Sequence, residues 1–161
     1  MIYDPKLIAD VFLELAERDY ERLTPMKVQK LVYFAHGWTL ALADRPLINE
    51  QVEAWRFGPV VPSLYHVLKY YGAEAIPTGT RLSAQAIFGE GEPLPVDGFD
   101  RKLVEKVWSV YGRFNAVELS EMTHATGSPW HVIWNNGGKN KKGTDIPDAE
   151  IQKFFRQKAG K

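Results

Sequence analysis

Apolar residues recur along this chain mostly at the three-and-four spacing of helices, in segments separated by Pro, Gly and capping residues. Leu7, Ile8, Val11, Phe12, Leu15 and Ala16 share one face, and Asp4 with Pro5 supplies a cap and a first-turn residue, so the first helix is predicted there. Thr24 and Pro25 repeat that start signal, and Val28, Leu31, Val32, Ala35, Trp38 and Leu42 mark an apolar face through Ala43. Tyr33, Phe34, Leu40 and Ala41 lie off that stripe, which makes this helix apolar on several sides and predicts a central position. "QVEAWRF" then alternates, Val52 and Ala54 to one side, Trp55 and Phe57 to the other, as a short strand ended by a Gly58-Pro59 turn.

Pro62 and Ser63 open a helix with a stripe of Val61, Leu64, Tyr65, Leu68 and Tyr71, closed by Gly72. From Ala73 to Asp97 the periodicity fails, because Pro77, Gly79, Gly89, Gly91, Pro93 and Pro95 break the segment into strand fragments or an exposed excursion, with Thr80 to Phe88 a candidate for a small hairpin arm. Leu103, Val104, Val107, Trp108 and Tyr111 restore helical spacing up to Gly112. Asn115 and Glu118 form a capping box for a short helix ending near Gly127, and Ser128-Pro129 starts another through Trp134. "NNGGKNKKG" reads as a solvated loop, and Asp145-Ile146-Pro147 introduces a last helix that buries Ile151, Phe154 and Phe155. The expected fold is mainly α, a compact single-domain bundle over residues 1–161 with six or seven helices and a minor β-strand or hairpin element.

Composition narrows the possible functions. The 161 residues are 45% hydrophobic and 25% charged, which suits a globular chain with a core of its own. Twenty Lys and Arg balance twenty Asp and Glu, so no bulk field draws the protein to nucleic acid or to an acidic membrane. A helix-turn-helix over Thr24 to Trp38 would present Tyr33, Phe34 and Trp38 to DNA in place of a basic face, which argues against DNA binding. Cysteine is absent, which removes disulfides, thiolate zinc cages and cysteine nucleophiles. The run Leu31 to Ala43 is shorter than the roughly 18 residues a membrane span needs, and the amino terminus has no secretory pattern; a cytoplasmic protein is expected.

Candidate chemistry is sparse. His36, His66, His124 and His131 match no metal-ligand spacing, and neither a metal nor another cofactor is expected. His36 reads as a buried imidazole with a hydrogen-bond partner; the sharper alternative is a base poised by a carboxylate such as Glu53. No G-x-S-x-G elbow occurs, and "GGKNKKGT" has Thr144 where a phosphate-binding loop needs lysine, leaving Lys139, Lys141 and Lys142 as solvated charges. The unusual material is aromatic and proline-rich: Trp55, Arg56 and Phe57, then Tyr65, Tyr70 and Tyr71, then Trp130 and Trp134. These are residue types that interface centres favour and that cores use too.

Three blocks, "KVQKLVYFAHGWTLALADRPL" at Lys27 to Leu47, "EAWRFGPVVPSLYHVLKYYG" at Glu53 to Gly72 and "LSEMTHATGSPW" at Leu119 to Trp130, resemble the Panacea domain of SocA-like antitoxins and phage-associated proteins. The resemblance implies a non-enzymatic domain that binds and neutralises a protein toxin, usually encoded by an adjacent gene. It also implies that some members deliver the bound toxin to an AAA+ protease. The partner-binding candidates are Gln29, Lys30, Tyr33, His36, Trp55, Arg56, Gly58, Pro59, His124 and Trp130, positions that carry the resemblance, together with Phe57 from the aromatic cluster; several of them would serve packing. Arg56 would supply a planar hydrogen-bonding charge with aromatic neighbours around it. The rival from another class is a hydrolase using His36 or His124 with Glu53 or Glu121.

Overall fold

The structure is a computed structural model that describes residues 1–136 and 143–160. Of the expected lysine loop, residues 137–142, including Lys139, Lys141 and Lys142, lie outside the described residues. Among these, eight α-helices accompany a three-stranded antiparallel sheet, a mainly α architecture with minor β. The helices are α1 (Pro5–Arg18), α2 (Pro25–Ala43), α3 (Pro62–Leu68), α4 (Ala84–Phe88), α5 (Gly98–Tyr111), α6 (Ala116–Thr123), α7 (Pro129–Asn135) and α8 (Asp148–Lys158), and a single 3₁₀ turn, Lys69–Tyr71, extends α3. The strands are β1 (Glu53–Trp55), β2 (Gly58–Val60) and β3 (Thr144–Asp145), in the order β2-β1-β3. No helix among the described residues is long and apolar enough to cross a membrane.

Local chemistry sets the helix starts. Asp4 accepts the Lys6 N–H, Thr24 that of Lys27, Asn115 that of Glu118 and Ser128 that of His131, each filling a donor the first turn leaves open. The Asn115–Glu118 capping box is reciprocal, as expected. Seven of the eight helices are those read from periodicity. The eighth, α4, replaces the expected hairpin arm at Thr80 to Phe88: Ser83 caps it by accepting the Ala86 N–H. The segment is also tied to α1, where the buried Asp10 carboxylate accepts the N–H groups of Leu82 and Ser83 at 2.7 and 2.8 Å, and Glu17 holds the Arg81 guanidinium through both oxygens at 3.0 Å. Those anchors are tertiary, and hydrophobic spacing carries no trace of them.

Helix α2 runs through the centre. From Lys27 to Ala41 it is buried on every side except at Trp38, and α1, α3, α5, α6, α8 and β2 pack around it. Leu42, expected on the inner stripe, is exposed. Phe34 stacks on Tyr111 of α5 with centroids 4.2 Å apart, and Phe155 of α8 meets Tyr33, Phe34 and Trp38 edge-on. Phe155 reaches this position because residue 37 is glycine: a Cβ there would overlap the Phe155 ring. Gly37 costs helix propensity and in return admits α8. Gly37→Ala should therefore destabilise the fold by about 3 kcal/mol, an overpacking penalty set against the small propensity gain, measurable as a lower urea midpoint with an unchanged slope.

The β-hairpin differs from expectation in its turn. Trp55 pairs with Gly58, Ala54 with Pro59 and Glu53 with Val60, so Arg56 and Phe57 form the two-residue connection and Gly58-Pro59 belongs to the returning strand. Gly-Pro resembles a stop signal because proline lacks the donor a ladder needs, yet an outer strand tolerates it. The alternation itself is as read: Val52 and Ala54 are buried, whereas Phe57 is exposed.

Candidate functional site

The hairpin is held from beneath by polar groups of α2. Gln29 accepts the Val61 N–H at 2.9 Å through its side-chain oxygen and donates to the Val61 carbonyl at 3.0 Å through its nitrogen. Lys30, fully buried, donates its ammonium to the Pro59 carbonyl at 3.1 Å. Removal from water penalises the charged amine and pushes its pKa down from 10.5 to about 7.

Gly58 closes the arrangement. Its φ of +118° lies where L side chains are strained, and a Cβ would stand 2.9 Å from Lys30 Nζ, 3.0 Å from Thr123 Oγ1 and 3.3 Å from His124 Nε2. Conformation and space thus both call for glycine. Helices α6 and α7 buttress the other side: Ser120 donates its hydroxyl to the Phe57 carbonyl at 3.1 Å, and Trp130 donates its indole N–H to the Trp55 carbonyl at 2.6 Å. The Trp130 ring stacks on Trp134 at 5.5 Å and meets the His124 ring at 4.3 Å. His124 Nε2 is buried with no hydrogen-bond partner among the described residues. Burial first, and the Lys30 charge second, lower the pKa of His124, opposed by the Phe57 carbonyl and by Glu121.

Above this floor lies a groove of about 640 Å³. Trp55, Phe57, Tyr65 and Trp134 give it aromatic walls, with Trp55 and Tyr65 centroids 4.7 Å apart. Gln29 and Lys30 line its base, and the exposed side chains of Arg56 and Lys69 stand over it. Among the described residues the lining contains three basic side chains and no acidic one. The Arg56 guanidinium sits 5.5 Å from the Phe57 ring centroid and makes no ion pair among the described residues. An arginine kept beside an exposed ring, its donors engaged by no described residue, is equipped to meet a carboxylate.

Of the eleven candidate positions, Gln29, Lys30, Trp55, Arg56 and Phe57 line the groove. Gly58 and Pro59 are buried in the returning strand, and His124 and Trp130 support the hairpin from behind. Tyr33 and His36 lie elsewhere, in the core. His36 is fully buried: its Nδ1 accepts the Leu47 N–H at 3.3 Å, which leaves Nε2 to donate to Asp148 at 2.9 Å. It is a buried, hydrogen-bonded imidazole whose carboxylate partner is Asp148; Glu53 instead accepts the Trp55 indole N–H at 2.9 Å. Among the described residues no three His, Asp or Glu side chains gather as a metal site. Met26 and Lys69 also line the groove and were not singled out from the sequence; Lys69 follows Tyr65 by four, and that i, i+4 spacing was the available signal.

Comparison with known proteins bears on this hairpin. The family model described as "Antitoxin SocA-like, Panacea domain" matches residues 28–131, from the start of α2 to the first turn of α7. The chain belongs to the SocA-like Panacea domain family. It is 35% identical over 159 residues to a Caulobacter vibrioides (strain NA1000 / CB15N) protein named antitoxin SocA, a match covering 95% of this chain and 82% of that protein. No solved structure matches. The stretch shared with the Panacea family contains the hairpin and all the side chains just described that hold it.

The buried amine gives this Panacea domain a testable pH dependence. Between about pH 7 and pH 10.5 the unfolded chain keeps a proton that folded Lys30 has released, so stability rises with pH across that window. Below it, the full cost of burying the ammonium is present. The melting temperature should therefore climb from pH 7 to about pH 10 relative to that of Lys30→Met, followed by circular dichroism. Parallel curves would contradict the assignment.

Proposed function

We propose that this chain neutralises a protein toxin by binding it directly through the groove beside the Trp55–Gly58 hairpin, without catalysing a reaction. The observation that carries the proposal is the groove itself. Its exposed Arg56 and Phe57 stand on a hairpin held by the buried side chains of Gln29, Lys30, Ser120 and Trp130, and its described lining is aromatic and basic. Interface centres favour this combination, because large rings bury area at little entropic cost and arginine supplies directional charge. The surface suits a toxin segment in which acidic residues adjoin apolar ones. The antitoxin name of the Caulobacter relative supports the reading.

Delivery of the toxin to an AAA+ protease would begin with the same contact and would show as a shortened toxin lifetime in cells that have the protease. A histidine-dependent hydrolase draws no support from the arrangement. His36 is sealed in the core, Glu53 is engaged by Trp55, and His124 Nε2 is buried against Gly58.

Co-expression with the product of the adjacent gene tests the proposal. The parent chain should relieve growth arrest and copurify with that product. Arg56→Glu and Phe57→Ala, both at exposed positions, should weaken binding at least about tenfold and restore the arrest while leaving the melting temperature unchanged. Variants that bind and neutralise like the parent would remove the groove from the mechanism.

A further inference from the structure

A second concavity, about 500 Å³, lies between α2 and α5, away from the hairpin. Its lining is apolar apart from two lysines, and three of its residues, Leu42, Phe99 and Val110, are 46%, 51% and 39% exposed. Lys102 and Lys106, one turn apart on α5, border it and form no ion pair among the described residues. Helix α4 presents the complementary pattern. It buries no residue of its own, yet Ser83 and Asp10 hold its first turn in place, so Ile87 and Phe88 are displayed to solvent at 52% and 88% exposure. Two acids, Glu90 and Glu92, follow at once, and neither forms an ion pair among the described residues.

We propose that two copies of this chain pair, each seating Ile87 and Phe88 in the α2–α5 groove of the other, with Glu90 and Glu92 against Lys102 and Lys106. Apolar surface meets apolar surface and acid meets base, so the chain carries both halves of one interface. A two-fold interface needs both halves on one side of the molecule. Chain connectivity keeps them close: Phe99 follows Glu92 by seven residues, a span of at most about 25 Å, and the Glu92 N–H bond to the Gly89 carbonyl folds part of that span back. With a net charge of zero, two copies do not repel at long range. The residues of this interface are distinct from those that line the groove at Arg56.

The test uses two charge-reversed variants of the full chain, Lys102→Glu/Lys106→Glu and Glu90→Lys/Glu92→Lys, studied by light scattering and sedimentation. All four positions lie on the surface, and unchanged melting curves would establish that both variants fold. The parent should show the two-chain mass, and each variant alone the one-chain mass, with self-association weakened at least about tenfold. Mixed in equal amounts, the two variants should recover the two-chain mass, because every groove then faces an arm of opposite charge. Phe88→Asp should be monomeric and should not recover on mixing with either. A parent that stays monomeric at all concentrations, a dimer that survives both reversals, or a mixture that remains monomeric would each overturn the proposal. So would loss of toxin binding in the groove variant with the parent monomeric, which would assign the groove to the toxin.

Discussion

Helix α2 has almost no solvent face, so each long polar side chain it carries must find its partner on a remote segment, because an unmatched polar group sealed in protein costs several kcal/mol, on the order of a whole domain's margin of stability. Lys27 donates to the Gly112 carbonyl at the end of α5, Gln29 engages both backbone groups of Val61, Lys30 donates to Pro59, and His36 bridges Leu47 and Asp148. Four side chains on one helix thereby fix the end of α5, the hairpin, the loop before β1 and the start of α8. Hydrophobic packing makes this helix central, and hydrogen bonding determines where its neighbours stop.

That division of labour explains why a groove exists beside the hairpin. A two-residue connection displaying an arginine and a phenylalanine would collapse onto the nearest apolar surface if only contact area held it. Here the Phe57 carbonyl and that of Trp55 just before the connection are engaged from the far side by Ser120 and Trp130, and Gly58 leaves no side chain between the strand and Lys30. Phe57 and Arg56 stay exposed because the backbone beneath them is held in place, while Trp55 rests against Tyr65. A surface set in this way loses little entropy when a partner arrives, and preorganisation of that kind lowers the cost of association.

Much of this was legible beforehand. Seven helices followed from apolar spacing together with caps such as Asp4, Thr24 and Asn115, since both signals are local. The resemblance of three blocks to the Panacea domain pointed to the hairpin as the place of interest. What escaped was non-local. Helix α4 depends on Asp10, more than seventy residues away, and Ser83 among broken residues was too slight a cue on its own. Gly58-Pro59 read as a turn because a strand pairing with nothing on its outer side is invisible in one dimension. Lys30 looked available to a partner because charge usually means exposure, and sequence does not show when a carbonyl waits inside; His36, read as a buried imidazole, differed only in its partner, Asp148.

The position of Pro59 has one more consequence. Strand β2 ends the sheet, and a terminal strand ordinarily offers its spare backbone groups to any extended peptide that comes alongside. Here proline contributes no donor, and the carbonyl of Pro59 and both groups of Val61 are consumed by Lys30 and Gln29. Lengthening the sheet by one foreign strand is thereby barred on this flank, which guards against runaway stacking of chains and leaves side-chain chemistry as the language in which a visitor is recognised there.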